Sequence, residues 1–280
     1  MIKNKFKKTL NKIFNDKRVA LIKLEGIIID NSSLPVATKL IECFENAEEQ
    51  GIKNIVLRIN SPGGTVGASQ EIHRAIMKAR ENGATVVASF ADVSASGGYY
   101  IATACDKIVS NAGTITGSIG VIIKTNVIKS LYDKIGIDHQ IIKSGSHKDI
   151  LSNIRYLSEE EKLILQSMVD DTYKQFLEVV RSSRKLKEED LLKYADGRIY
   201  TGNQAFEFGL VDAVGSQSDA VDLLCNLSNI KDKPKIITIE PKKTILQKIT
   251  GSELSQMLES LGLSAGYAGM PLWLLPGILK

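Results

Sequence analysis

The chain has 280 residues, 43% hydrophobic and 24% charged, which excludes a disordered or low-complexity polypeptide and is enough to bury a sizeable core in one large or two modest domains. A net charge of +4 is too small for this length to imply a nucleic-acid partner. The 3 cysteines, Cys43, Cys105 and Cys225, stand far apart, in neither a disulfide framework nor a metal-ligand spacing, so a reducing compartment is the simpler reading.

Positive charge is concentrated at the start of the chain. Lys3, Lys5, Lys7, Lys8, Lys12, Lys17 and Arg18 face the single acid Asp16, while Ile2, Phe6, Leu10, Ile13 and Phe14 recur at helical spacing. Residues 1–17 therefore read as a basic amphipathic segment able to lie on an anionic membrane surface, and neither a signal peptide nor a spanning helix is expected there. Residues 18–30 are strand-like and 35–50 helical. The alternation continues with a strand at 55–59, a helix at 67–81, a strand at 85–90, a helix at 97–105 and a strand at 107–110.

Short apolar strands alternating with helices predict an α/β architecture around a mainly parallel sheet, with ligands beyond the carboxyl ends of the strands. Two glycine-bearing turns fall at such ends, N-S-P-G-G at residues 60–64 and S-A-S-G-G at 94–98. After a hydroxyl- and glycine-rich stretch from Asn111, the pattern predicts a further apolar strand, a helix at 130–135 and a strand at 138–143 leading into S-G-S-H-K-D. Ser158 and Glu161 form a capping box that opens a long helix through about Arg181. Helices at 188–194 and 203–208, a turn-rich connector at 195–202 and a late strand at 236–239 follow, and the tail beyond Glu240 reads as an appendage.

Ser96 is the first candidate for chemistry. A sharp strand-to-helix turn presents a hydroxyl, and the glycines behind it let a carbonyl approach backbone amides, although serine and glycine also begin helices for capping alone. Neither glycine turn matches a phosphate-binding loop, so an oxyanion hole is the better use. That leaves acyl-CoA chemistry of the hydratase or isomerase type, serine hydrolysis, or a catalytically silent scaffold that binds peptides. Hydrolysis needs a base, and His73, His139, His147 and the lysines all remain open. His147 and Lys148, adjacent on what reads as extended backbone, point to opposite sides, so only one could face Ser96.

The motifs N-S-P-G-G (60–64), S-A-S-G-G-Y-Y-I-A (94–102), T-G-S-I-G-V (116–121), S-G-S-H-K-D-I (144–150), D-G-R-I-Y-T-G (196–202) and G-L-V-D (209–212) together resemble the bacterial signal peptide peptidase A family in its short, single-copy form. The resemblance implies a ClpP/crotonase-like fold of repeated β-β-α units over residues 18–230, with helical additions and a C-terminal extension at 231–280. It implies a serine endopeptidase acting on apolar, extended peptides such as remnant signal peptides, with no metal or cofactor. Ser96 is implied as nucleophile and Lys148 as general base, with Ser118 orienting the lysine. The amide of Gly97, with that of Gly64 or Gly63, would form the oxyanion hole, and His147 is left outside the dyad. Family members form ring-like homo-oligomers whose active sites are completed at subunit interfaces. They also carry a spanning N-terminal segment where this chain has its basic stretch, so a cytoplasmic or peripherally membrane-bound peptidase is expected.

Overall fold

Strands that are apolar at nearly every position are stable only where both faces are covered. In the computed structural model, which describes residues 17–31, 35–241 and 270–275, this condition organises the chain. The elements are β1 (Arg18–Glu25), α1 (Val36–Glu49), β2 (Asn54–Ser61), β3 (Gly63–Thr65), α2 (Val66–Glu81), β4 (Thr85–Ala95), α3 (Gly97–Ala102), β5 (Lys107–Ser110) and β6 (Ile115–Gly117). They continue with α4 (Lys129–Ile135), α5 (Glu159–Arg184), α6 (Glu188–Tyr194), β7 (Ile199–Tyr200), α7 (Gly202–Glu207), β8 (Ala213–Val214), α8 (Gln217–Leu227), β9 (Lys235–Thr238) and β10 (Leu272–Leu274).

The main sheet runs β7-β6-β4-β2-β1-β9, with β5 also paired to β4 and β8 to β5. All its pairings are parallel except β6 with β7. Alternate residues face opposite layers, as the pleat requires. Ile22, Leu57, Ala88 and Phe90 belong to the core beneath α1, α2 and α3, whereas Leu21, Val56, Val87 and Val109 are covered by Ala220, Val221 and Leu224 of α8. The predicted α/β architecture with a mainly parallel sheet is present.

Several local expectations change. The first strand stops at Glu25, because Gly26 turns the chain with φ of +77°, and the helix after Ser96 ends at Ala102. Residues 138–143 form no strand: with no neighbouring strand to pair with, they stay exposed. Residues 144–151 are a succession of turns, so the extended-strand argument about His147 and Lys148 does not apply. The apolar strand expected after residue 117 is reduced to an isolated bridge between Ile122 and Leu272.

The described part of the C-terminal extension is built in, since β9 pairs with β1 and β10 pairs with β3. The basic helix expected at residues 1–15 lies outside the described residues. Among those described, no helix is long and apolar enough to cross a membrane.

The G-L-V-D motif is explained by packing. Tyr99 Oη donates to the Leu210 carbonyl at 2.8 Å, and Asp212 accepts from Lys107 Nζ at 2.9 Å, from the Ile108 amide at 2.8 Å and from Arg184 Nη1 at 2.8 Å. The Arg184 side chain is only 5% exposed. Removing one partner of such a pair leaves the other charge buried and uncompensated. Asp212→Ala is therefore expected to lower the unfolding free energy by about 3–5 kcal/mol, measured by urea denaturation. A change under about 1 kcal/mol would show that the pair does not anchor α5 to the sheet.

Candidate functional site

Strand β4 runs into α3 with a single residue between them. Parallel pairing holds its end firmly: Ser94 lies opposite Ser61 on one side and Thr116 on the other, and Ala95 lies opposite Gly117. The Ser96 amide then donates to the Gly117 carbonyl at 2.8 Å, while the Ser96 carbonyl accepts the Tyr100 amide at 2.8 Å and starts the helix. One residue must make the whole change of direction, so Ser96 adopts φ 51° and ψ −116°, a conformation costly for a residue with a Cβ. Ser96 is 1% exposed.

Two glycine segments converge on this elbow. A Cβ built on Gly97 would lie 3.1 Å from the Gly64 nitrogen and 2.7 Å from Ser69 Oγ. Gly63 has φ of +103°, and a Cβ there would lie 2.7 Å from the Gly97 nitrogen; at Gly64 it would lie 1.8 Å from the Ile28 carbonyl oxygen. Only glycine permits these approaches. The Gly63 amide is already taken, donating to Ser61 Oγ at 3.1 Å, and the Gly63 carbonyl accepts the Ile28 amide at 2.9 Å. The amides of Gly64 and Gly97 thus lie side by side next to Ser96.

Ser118 follows Gly117, the last residue of β6 and the ladder partner of Ala95, so Ser96 and Ser118 are the residues at which the two paired strands end. Ser118 is also buried with positive φ, 51°, and its amide donates to the Arg198 carbonyl at 2.8 Å. The D-G-R-I-Y-T-G segment is therefore the wall that positions Ser118, and its Asp196 and Arg198 are ion-paired.

Lys148 sits on the turn at 144–151, exposed to solvent, and no hydrogen bond joins its Nζ to Ser96 Oγ among the described residues. The turn itself is tightly held. Asp149 accepts from Arg155 and from Lys143, and Arg155 Nη2 also donates to Glu161 Oε1 at 2.5 Å. These bonds from Arg155 hold the Asp149 carboxyl well below the usual range, helped by Lys143, and lower Glu161 to about 2.

The three histidines are engaged elsewhere. His73 packs on the Tyr100 ring at 4.9 Å and burial lowers its pKa to about 4; His139 packs on Tyr132 at 4.5 Å; His147 Nε2 lies 3.5 Å from Glu160. Among the described residues no group of His, Cys, Asp and Glu could hold a metal ion.

Sequence reasoning missed the aromatic cluster beside the elbow. Tyr100 of α3, Phe176 of α5 and Trp273 of β10 pack with ring centroids 4.1 Å (Tyr100–Trp273), 4.9 Å (Phe176–Trp273) and 5.3 Å (Tyr100–Phe176) apart. Its one visible signal was the chain's only tryptophan inside a proline-flanked apolar run.

Two outcomes are expected. Ser96→Gly relieves the backbone strain and should raise stability over Ser96→Ala by about 1–3 kcal/mol in matched thermal or urea unfolding; equal stabilities would mean that the elbow is unstrained. A carboxyl with a lowered folded pKa contributes stability that is full above its unfolded value of about 4 and fades as the pH falls towards the folded one. Hydrogen exchange referred to intrinsic rates should therefore show residues 147–161 losing protection between about pH 4 and pH 2 while the sheet stays protected. Unchanged protection of this corner at pH 2 would refute its dependence on the Arg155 network.

Comparison with known proteins identifies the family. A family profile described as "Peptidase family S49" matches residues 78–231, and one described as "Clp protease" matches residues 4–113. The chain is 42% identical over 270 residues to "Putative protease slr0021" of Synechocystis sp., covering 92% of this chain and 96% of that protein. It is 34% identical over 232 residues to "Putative signal peptide peptidase SppA" of Enterococcus faecium, covering 80% and 67% respectively. With "Protease 4" of Salmonella typhi it shares 32% identity over 255 residues, covering 87% of this chain and 40% of that longer protein. The chain belongs to peptidase family S49, and is a protease built on a ClpP-like α/β fold.

Proposed function

We propose that the protein is a serine endopeptidase in which Ser96 is the nucleophile and Lys148, supplied by a neighbouring copy, is the general base. The observation that carries this reading is the elbow: a buried serine in a glycine-like backbone conformation, beside the paired amides of Gly64 and Gly97. Ser96 Oγ attacks the scissile carbonyl carbon as its proton passes to the amine of Lys148. The carbonyl oxygen takes the negative charge between the Gly64 and Gly97 amides. The C–N bond then breaks, the leaving amine takes the proton from Lys148, and water hydrolyses the acyl-enzyme. Gly63 is set aside as the second donor because its amide is committed to Ser61 Oγ. Ser118, which follows Gly117 as Ser96 follows its ladder partner Ala95, orients the lysine amine.

The arm that carries Lys148 supports a neighbouring copy as its source. Leu131, Ile135, Ile141, Ile142, Tyr156 and Leu163 are all exposed on it, and Ile142 is fully so. An apolar surface of this kind marks an interaction site. A lysine acts as a base near neutrality only when desolvation lowers its pKa from about 10.4, and enclosure between subunits provides that desolvation. The substrates proposed are apolar, extended peptides, remnant signal peptides among them. The basic segment 1–17 would add contact with an anionic membrane surface.

The test uses a fluorogenic apolar peptide. Ser96→Ala and Lys148→Met alone should each lose at least about a thousandfold in kcat/KM, as expected for members of a catalytic unit. Mixing the two inactive variants and letting subunits exchange should restore part of the activity, because a mixed interface joins an intact Ser96 to an intact Lys148. Wild-type rates in either single variant would refute the dyad, and failure of mixtures to recover after proven exchange would refute its sharing between copies.

A further inference from the structure

Strand β4 does not run straight to the elbow. Residues 85–90 pair one for one with residues 54–59 of β2, ending with Phe90 opposite Ile59, but the next pair is Ser94 opposite Ser61. Asn60 alone therefore faces Ala91, Asp92 and Val93, a bulge of three residues against one. On its other side β4 changes neighbour at the same place: pairing with β5 ends at Phe90 opposite Ser110, and pairing with β6 begins at Val93 opposite Ile115. A one-for-one register would have set Ser94 opposite Gly63, carrying Ser96 about 6–7 Å past the N-S-P-G-G turn at a rise of about 3.3 Å per residue. The bulge brings the strand end level with that turn.

A bulge interrupts the ladder, and the backbone groups it releases need other partners. Side chains supply them. The Phe90 carbonyl accepts from Arg58 Nη1 at 2.9 Å and from Asn111 Nδ2 at 2.8 Å, and the Ala91 carbonyl accepts from Thr114 Oγ1. The Val93 amide donates to Asn60 Oδ1 at 3.1 Å, and Asn60 Nδ2 donates to Asp92 Oδ2 at 3.3 Å. Asn60 differs from the others in what it joins. Its own carbonyl accepts the Gly26 amide at 3.0 Å, so one residue ties together the ends of β1, β2 and β4. Beyond Gly26 the chain reaches Ile28, whose amide donates to the Gly63 carbonyl at 2.9 Å and whose carbonyl accepts the Thr65 amide at 2.8 Å, on either side of Gly64. Beyond Asn60 it reaches Gly64 itself, and beyond Val93 it reaches Ser96 and Gly97. A carboxamide suits both side-chain contacts, because its oxygen accepts from an amide while its nitrogen donates to a carboxylate.

We propose that Asn60 is a positioning residue for the peptidase reaction: by closing the β4 bulge it sets the level at which Ser96 and Gly97 meet Gly64. It acts through those residues and touches no substrate. The inference rests on reading Ser96 as the nucleophile and the Gly64 and Gly97 amides as the carbonyl-binding pair. Aspartate at this position would set a second carboxylate against Asp92, and leucine would leave the Val93 amide without an acceptor. A shift of about 1 Å between reacting groups costs about a hundredfold in rate, so loss of these two bonds should be felt in kcat.

The test exchanges the two partners. Asn60→Asp keeps the acceptor for Val93 and removes the donor to Asp92, Asn60→Leu removes both, and Asn60→Asp combined with Asp92→Asn restores the pair with donor and acceptor reversed. On a fluorogenic apolar peptide each single Asn60 variant should lose about ten- to a hundredfold in kcat with KM changed by less than about threefold, and the exchanged pair should recover most of the loss. A peptide boronate, which becomes tetrahedral on Ser96, should bind Asn60→Asp at least about tenfold more weakly, while an uncleaved peptide should keep its affinity for the same variant carrying Ser96→Ala. A residue that only stabilised the fold would move both affinities together. Wild-type kcat in both Asn60 variants, equal losses of the two affinities, or no recovery in the exchanged pair would overturn the proposal, and Asn60→Asp with its exchange suffices even if Asn60→Leu fails to fold. Amide exchange at Ser96, whose N–H donates to the Gly117 carbonyl, separates this failure from that of the nucleophile. If the boronate leaves the wild type uninhibited, yet Ser96 loses protection in Asn60→Asp and regains it in the exchanged pair, the role of Asn60 in placing the elbow stands and Ser96 falls as nucleophile. Unchanged protection would overturn that role.

Discussion

The site depends on the way β4 ends. This 11-residue strand is the hub of the sheet, paired with β2 along its length, with β5 over its first half and with β6 over its second. The ladder bonds persist up to Ala95 and the helical bonds begin from the Ser96 carbonyl, so no loop separates the two regular structures. The rotation that a loop would spread over several residues falls on one, and the parallel neighbours on both sides prevent it from relaxing. A hydroxyl on that residue is held in place by the sheet rather than by its own contacts.

The same compression explains the glycines around it. A strand that turns at once into a helix brings the helix start close to the neighbouring turn, and Gly63, Gly64 and Gly97 meet there at distances that no Cβ allows. Close backbone approach also brings the Gly64 and Gly97 nitrogens together, so a single packing constraint places both amides. Other motif residues have a different origin. Asp212 and Tyr99 tie α5 and the G-L-V-D segment to the sheet, and their hydrogen bonds account for them without any part in chemistry.

The chain also divides into a rigid and a displayed part. Around the elbow nearly every side chain is buried, whereas the arm from Ile122 to the first turns of α5 exposes its apolar residues and carries Lys148 on a turn clamped by Asp149, Arg155 and Glu161. The turn is firmly braced, although the arm that carries it has little of its own to pack against.

Much of the fold was legible in the residues. β-Branched runs such as I-V-L-R-I and T-V-V-A-S-F, spaced by helical periods, specify buried parallel strands through local pattern alone, and the Ser96 elbow follows from serine and paired glycines at such a junction. The order of the motifs was enough to indicate the family. Tertiary structure decided the features that depend on partners distant in the chain. Residues 138–143 alternate like a strand yet form none, because a strand exists only where an edge is available to pair with. Trp273, read as part of an appended tail, packs on Tyr100 and Phe176 because the edge of β3, more than 200 residues earlier, was open to receive its strand. Periodicity records which faces are apolar; which face meets which is settled only when the whole chain has closed around its core.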